Sequence, residues 1–247
     1  MGIKNIQTAH LVHDLKNPVN IIETGARSLL EKQKTYGPLN PKQEKIVTRI
    51  LRNAAKIRNL VNSMLEVDKA ALGIVEVKDC NLLGLIKEAL IELFDLVEPS
   101  VSDELDEARD CASIERVLRQ NGVQFEAEET QLNRLVKIDG TKFSLVVTNL
   151  LSNAFKYREK NVFLKCSFQD NCITVAVRDD GPGIPECYHQ QIFDQYFQCV
   201  KVDGFPVRGH GLGLAGALAL TEAMGGTLSL CRSTHGAEFV VRLTIAS

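Results

Sequence analysis

His13-Asp14-Leu15-Lys16-Asn17-Pro18 is the stretch with most chemical promise, because three later motifs complete it. An imidazole is a nucleophile when one ring nitrogen keeps its lone pair. A carboxylate beside it can orient the ring and accept the proton released on attack. His13 and Asp14 form such a pair, and Asn17, four residues on, shares a helical face with His13. Pro18 lacks the amide that would bond the carbonyl of Asp14, so a local bend beside His13 is expected. Taken alone the hexapeptide also fits an ordinary solvent-facing helix histidine. His10, one turn earlier, is not excluded but lacks an adjacent acid.

The other three motifs can together build a nucleotide site. Asp179-Asp180-Gly181-Pro182-Gly183-Ile184-Pro185 follows an expected strand. Its glycines let the backbone turn sharply and approach a flat ligand, and a buried Asp179 could accept a hydrogen bond from an exocyclic amine such as that of adenine. Gly209-His210-Gly211-Leu212-Gly213-Leu214 opens a helix, where free amides and the positive dipole end suit phosphate oxygens. It is not the dinucleotide fingerprint, because the third glycine is misplaced and no β-α-β unit surrounds it. In Asn149-Leu150-Leu151-Ser152-Asn153-Ala154-Phe155-Lys156-Tyr157, two amides lie four apart on an otherwise apolar helix. Asn153 offers a neutral oxygen to a magnesium ion held mainly by phosphate and water, and Lys156 could meet a phosphate. Singly, each motif also reads as a glycine-rich turn or as surface asparagines.

Composition narrows the class. With 247 residues, 45% hydrophobic and 24% charged, the chain has room for two soluble domains. A net charge of -2 gives no electrostatic case for nucleic acid. No apolar run is long enough to span a bilayer, and no signal-peptide pattern is visible. The chain starts a few residues before His13, which leaves room for upstream sensing or membrane segments in a longer, membrane-bound parent. The seven cysteines are odd in number and form no C-x-x-C pair, so a reducing cytoplasm is expected, with neither a disulfide framework nor a zinc site.

Positioning these motifs requires two kinds of element. Between residues 42 and 68, Ile46, Val47, Ile50, Leu51, Ala54, Ile57, Leu60, Val61, Met64 and Leu65 recur at three- and four-residue steps, one stripe of a helix. Asn40 could cap it with Pro41 at its first position. Residues 1–72 are therefore expected to form a helical hairpin. Two helices cannot bury two apolar stripes by themselves, so a dimeric four-helix bundle is the expected solution. Residues 78–247 are expected to form a second domain. Helices are expected over 82–96, 141–157 and 211–224, and strands over 162–168, 173–177, 227–231 and 239–245. Asp170-Asn171 turns between the first two strands. The expected class is α+β, an α/β sandwich with helices on one side of an antiparallel-leaning sheet. Residues 98–119 are acidic, contain Pro99-Ser100, and read either as an extra surface helix or as a solvated insertion.

In order and spacing the motifs resemble those of sensor histidine kinases of two-component systems, over most of the chain outside roughly 98–135. The His13 segment resembles the phospho-acceptor box, the Asn149 segment the N box, and Asp179 to Pro185 the first glycine box. Ile192 to Phe197 resembles the F box, and Gly209 to Leu214 the second glycine box. The resemblance implies the Bergerat-type ATP-binding fold shared with gyrase, MutL and the heat-shock chaperone ATPases. It implies ATP-dependent phosphorylation of His13 and transfer to an aspartate on a response regulator receiver domain, by a cytoplasmic homodimer. It further implies that Asn153 holds magnesium, Asp179 binds the adenine amine, Lys156 approaches the phosphates and Tyr157 borders the base. Gly181, Gly183, Ile184 and Phe193 would belong to the same site, with residues 198–208 as a lid over ATP.

One substitution bears on mechanism. The ATPase relatives carry a water-activating glutamate where Asn149 stands, and asparagine cannot be that base, which favours transfer to His13 over hydrolysis. Two features depart from the family. Gln198 occupies the position of an arginine that reaches the γ-phosphate, with Lys201 or Arg208 as substitutes. The 98–120 insertion is also long. A catalytically weak phosphorelay or scaffold module with a degenerate nucleotide site is therefore the alternative reading. Asp14 and Asn17 also have the spacing that, in the family, orients water for dephosphorylating the regulator.

Overall fold

The computed structural model describes residues 2–194, 213–231 and 235–245, with side chains from Leu15 onward. The chain divides into two compact units, Met1–Lys69 and Ala70–Ser247.

In the first unit, helix α1 (Gly2–Glu31) is followed by one turn, α2 (Gln33–Tyr36), and by α3 (Pro41–Ala71). α1 continues through Pro18 as helix. Asn40 starts α3 with a reciprocal cap. Its Oδ1 accepts from the amides of Lys42 and Gln43, both at 3.0 Å, and its own amide donates to Gln43 Oε1 at 2.9 Å. Val19 and Ala26 on α1, and Val47, Ala54 and Val61 on α3, are buried at seven-residue steps. Arg58 Nη1 donates to Glu23 Oε1 across the hairpin at 2.5 Å. A second row at the same spacing faces outward: Leu15, Ile22 and Leu29 on α1, and Ile50, Ile57 and Met64 on α3, are each 37–48% exposed.

Among its described residues the second unit holds two sheets. Strands β1 (Lys78–Asn81) and β3 (Leu135–Ile138) pair antiparallel. The larger sheet contains β2 (Val123–Ala127), β4 (Val162–Gln169), β5 (Cys172–Asp179), β6 (Thr227–Cys231) and β7 (Glu238–Thr244), in the order β2-β4-β5-β7-β6. Among the described strands of this sheet only the β2–β4 pair is parallel. Asp170 and Asn171, at φ 50° and 57°, form the tight turn that sets Val162 opposite Asp179.

Helices cover one face of this sheet. α4 (Leu82–Val97) packs on α8 (Gly140–Tyr157), which packs on β4, β5 and α9 (Gly213–Ala223). Phe94 meets Phe155 edge to face at 5.3 Å between centroids. Asp139 caps α8: its Oδ1 accepts from the Lys142 amide, and its Oδ2 from Lys142 Nζ and the Glu76 amide. The segment entering β1 is thereby pinned to the start of α8.

The stretch that reads as a surface helix or solvated insertion is two packed helices, α5 (Pro99–Glu107) and α6 (Cys111–Gln120). Val101, Leu105, Ala108, Cys111, Ile114 and Leu118 are buried, with α5 against α4 and α6 against β2. Lys87 Nζ donates to the carbonyls of Asp106 (2.7 Å) and Ala108 (3.0 Å), satisfying acceptors that a helix end leaves open. One further turn, α7 (Glu129–Leu132), precedes β3.

Candidate functional site

Asp179 ends β5 and is 4% exposed. Its Oδ1 accepts from the amides of Gly181 (2.9 Å) and Ala237 (3.3 Å), while Oδ2 makes no hydrogen bond among the described residues. Burial pushes this carboxyl above the usual carboxylate range, against the pull of those two amides. A desolvated carboxylate acceptor suits the exocyclic amine of a base. Two close approaches build its surroundings. A Cβ on Gly181 would lie 2.1 Å from the Tyr157 carbonyl oxygen, and one on Gly236 would lie 1.8 Å from the Asp179 carbonyl oxygen. Gly236 and Ala237 escaped the sequence reading. The available signal was a glycine between the last two strands, which reads there as a plain turn.

Asn149 and Asn153 sit half-buried on α8, facing the start of α9. A Cβ on Gly213 would lie 3.5 Å from Asn149 Oδ1 and 3.9 Å from Asn153 Nδ2. These are neutral amide donors of the kind magnesium accepts alongside phosphate and water. At the end of α8, Lys156 Nζ donates to the Tyr157 hydroxyl at 2.7 Å and stands 4.4 Å from the centre of its ring. The structure therefore brings Asp179 and Gly181, at the end of β5, against Tyr157 at the end of α8, and Gly213, at the start of α9, against Asn149 and Asn153 further back on α8, with Lys156 between the two contacts.

The remaining residues fall around this group or outside the described part. Gly183 and Ile184 are half-buried, and the Ile184 carbonyl lies 2.9 Å from His189 Nε2. Phe193 is half-buried and meets Phe239 edge to face at 6.3 Å. Leu214 is half-buried in the first turn of α9. Gly209, His210, Gly211 and Leu212, and positions 198–208, lie outside the described residues. His13 and Asp14 lie on α1, their side chains outside the described set, and Asn17 is exposed. Among the described residues no helix is long and apolar enough to cross a membrane, and no cluster of three or more His, Cys, Asp or Glu could hold a metal.

Residues 3–73 match the His Kinase A (phospho-acceptor) domain. Residues 138–247 match the family described as histidine kinase-, DNA gyrase B-, and HSP90-like ATPase. The chain belongs to the sensor histidine kinases of two-component systems. Hybrid signal transduction histidine kinase D of Dictyostelium discoideum is 27% identical over 248 residues, covering 96% of this chain and 14% of that protein. Sensor histidine kinase YkoH of Bacillus subtilis (strain 168) is 28% identical over 219 residues, 88% of this chain and 42% of its own length. The chain thus spans less than half the length of each of these relatives. The crystal structure of full-length ShkA in complex with AMPPNP covers 98% of this chain at TM-score 0.63 and 23% identity, with 46% of that chain matched. That likeness supports the fold. Both units of this histidine kinase accordingly have family counterparts, whereas the α5–α6 insertion lies outside both matched ranges.

Proposed function

We propose that this chain is the catalytic core of an autokinase. ATP held by the second unit phosphorylates His13, and the phosphoryl group then passes to an aspartate of a response regulator receiver domain. The observation that carries this reading is the buried Asp179 carboxylate, held by the amides of Gly181 and Ala237 beside the backbone contact of Gly181 and Tyr157. Asp179 would accept the adenine amine, Tyr157, Ile184 and Phe193 would border the base, and Lys156 would leave the Tyr157 hydroxyl to meet phosphate. Residues 209–214 would supply amides to the phosphates. Magnesium, when bound, supplies charge neutralisation at the phosphates, with Asn153 as its protein ligand. An imidazole nitrogen of His13 forms the bond to phosphorus as the bond to the ADP oxygen breaks. Asp14 orients the ring and receives the proton from its other nitrogen. Asn149 cannot activate water as a glutamate would, which preserves the phosphoryl group for His13.

The heptad rows of the hairpin support a homodimer. Asp14 with the exposed Asn17 supports a second activity, water-mediated dephosphorylation of the regulator. A cytoplasmic location, with or without upstream membrane segments, is part of the same reading, and nucleic acid is not a proposed partner.

Incubation with γ-labelled ATP tests the first activity. An acid-labile, base-stable label that disappears in His13→Ala and Asn153→Ala is expected, and absence of label from the wild-type chain excludes the autokinase. For the second activity, Asn17→Ala should keep autokinase while regulator dephosphorylation is lost. Unchanged dephosphorylation removes that part of the reading.

A further inference from the structure

Asp180 stands between two residues with proposed ligand roles, yet its carboxylate points to a different task. Its Oδ1 accepts from the amides of Glu159 (2.9 Å) and Lys160 (3.0 Å). Its Oδ2 accepts from the Asn161 amide (2.8 Å) and from Asn161 Nδ2 (3.0 Å). A carboxylate has about four lone-pair sites, so these four donors leave none for a ligand. Burial raises its pKa, but the hydrogen bonds from Lys160, Asn161 and Glu159 outweigh that and hold it below the usual range. Arg158 adds a nearby positive charge, its own pKa lowered by burial and partly restored by Asp180.

The two sides that Asp180 joins are distinct elements. On one side β5 ends at Asp179, the base-facing acid. On the other α8 ends at Tyr157, with Lys156 beside it and Asn153 one turn earlier, and the segment 159–161 leads out towards β4. Asp180 bonds every amide of that segment.

We propose that Asp180 is a positioning residue that fixes the separation between the base-holding and phosphate-holding halves of the nucleotide site. The inference rests on the reading of that site as one for ATP. A ligand that engages both halves gains from their preset spacing as a linked pair of contacts does. In catalysis a misplacement of about 1 Å can cost two orders of magnitude in rate, and linked contacts likewise lose their gain in affinity when the spacing no longer lets both engage. A ligand without phosphates reaches α8 only through Tyr157 at its very end, and gains little from the spacing to Lys156 and Asn153.

The test compares two ligands by calorimetry on the whole chain: magnesium-ATP, which spans both halves, and adenosine, which lacks the phosphates. Asp180→Ala is expected to weaken ATP by about tenfold or more while adenosine changes by less than about threefold. Asp180→Asn, which keeps one acceptor oxygen and half the staple, should fall between wild type and alanine for ATP and match wild type for adenosine. Equal losses for both ligands would mean that Asp180 merely props up Asp179, and an unchanged ATP affinity would remove it from the site's geometry. Either result overturns the proposal while leaving the ATP reading intact. Failure of the wild-type chain to bind magnesium-ATP instead refutes the ATP reading on which the proposal depends.

Discussion

The Tyr157 carbonyl oxygen lies 2.1 Å from where a Cβ on Gly181 would stand. Tyr157 closes α8 and Gly181 follows β5, so the contact joins two backbone segments and no flexible side chain can yield. Gly181→Ala must therefore push the end of α8 away from the Asp179 loop. Overpacking of this kind typically costs about 1–3 kcal/mol. The expected outcome is a lower unfolding temperature together with loss of measurable ATP binding. An alanine variant with wild-type melting and affinity would show that the two segments are free to separate.

What was legible in the chain follows from how local each signal is. The three- and four-residue steps of α3, and the alternation of β4 and β5 around Asp170-Asn171, are contained within one element and need no knowledge of neighbours. β1 and β3 were not legible, because Lys78-Asp79-Cys80-Asn81 is short and largely polar and finds its partner only at residues 135–138. In the insertion, one apolar row, Val101, Leu105, Ala108, Cys111, Ile114 and Leu118, is divided between two short helices among acids. At the site, Asp179 and Gly181 announce themselves by residue type. Ala237 donates to Asp179 across 58 positions of sequence, and Asp180 reaches back 19 to 21, so both roles exist only once the sheet is assembled.

Neighbouring Asp179 and Asp180 should respond to pH in opposite directions. The folded-state pKa of Asp179 is raised, so its contribution favours the native state most in acid and declines as pH rises through that raised value. That of Asp180 is depressed. Its contribution is present above the ordinary carboxylate range and is lost as pH falls through the depressed value. Base binding needs Asp179 ionised. Adenosine affinity, measured without a titrating phosphate, should therefore weaken as pH drops through the raised Asp179 value, and complexation should release a proton there. Calorimetry in buffers of different ionisation enthalpy reads that proton directly. Asp179→Asn should abolish the pH limb and weaken binding by about one to two orders of magnitude, the worth of a hydrogen bond to a charged group. A pH-independent wild-type affinity would place the base elsewhere.

The α5–α6 insertion should behave as core. Leu105 is 0% exposed and lies on the face of α5 that packs against α4. Leu105→Ala is expected to destabilise the chain by about 2–5 kcal/mol, as for other fully buried leucines. Lys87→Met, which keeps the apolar stem but frees the carbonyls of Asp106 and Ala108, should cost less, about 1–3 kcal/mol. Denaturant unfolding followed by circular dichroism measures both. A change under about 0.5 kcal/mol for Leu105→Ala, typical of surface sites, would show the insertion to be detached from the core.

The outward row of the hairpin leads to the last prediction. Leu15, Ile22, Leu29, Ile50, Ile57 and Met64 repeat at the seven-residue spacing of the buried row, yet each keeps 37–48% of its surface exposed in a single chain. Apolar side chains left half in water at regular helical steps are stabilised by a partner, at roughly 0.5–1.5 kcal/mol for each residue whose remaining surface is covered, a little under half the value for full burial. Ile21 is more exposed, at 72%, but lies off that row. Sedimentation should find wild type dimeric at micromolar concentration. Ile57→Glu, which places a charge in the covered row, should be monomeric, whereas Ile21→Glu should remain dimeric. A dimer that tolerates Ile57→Glu, or breaks equally with Ile21→Glu, would mean that the copies meet through another surface.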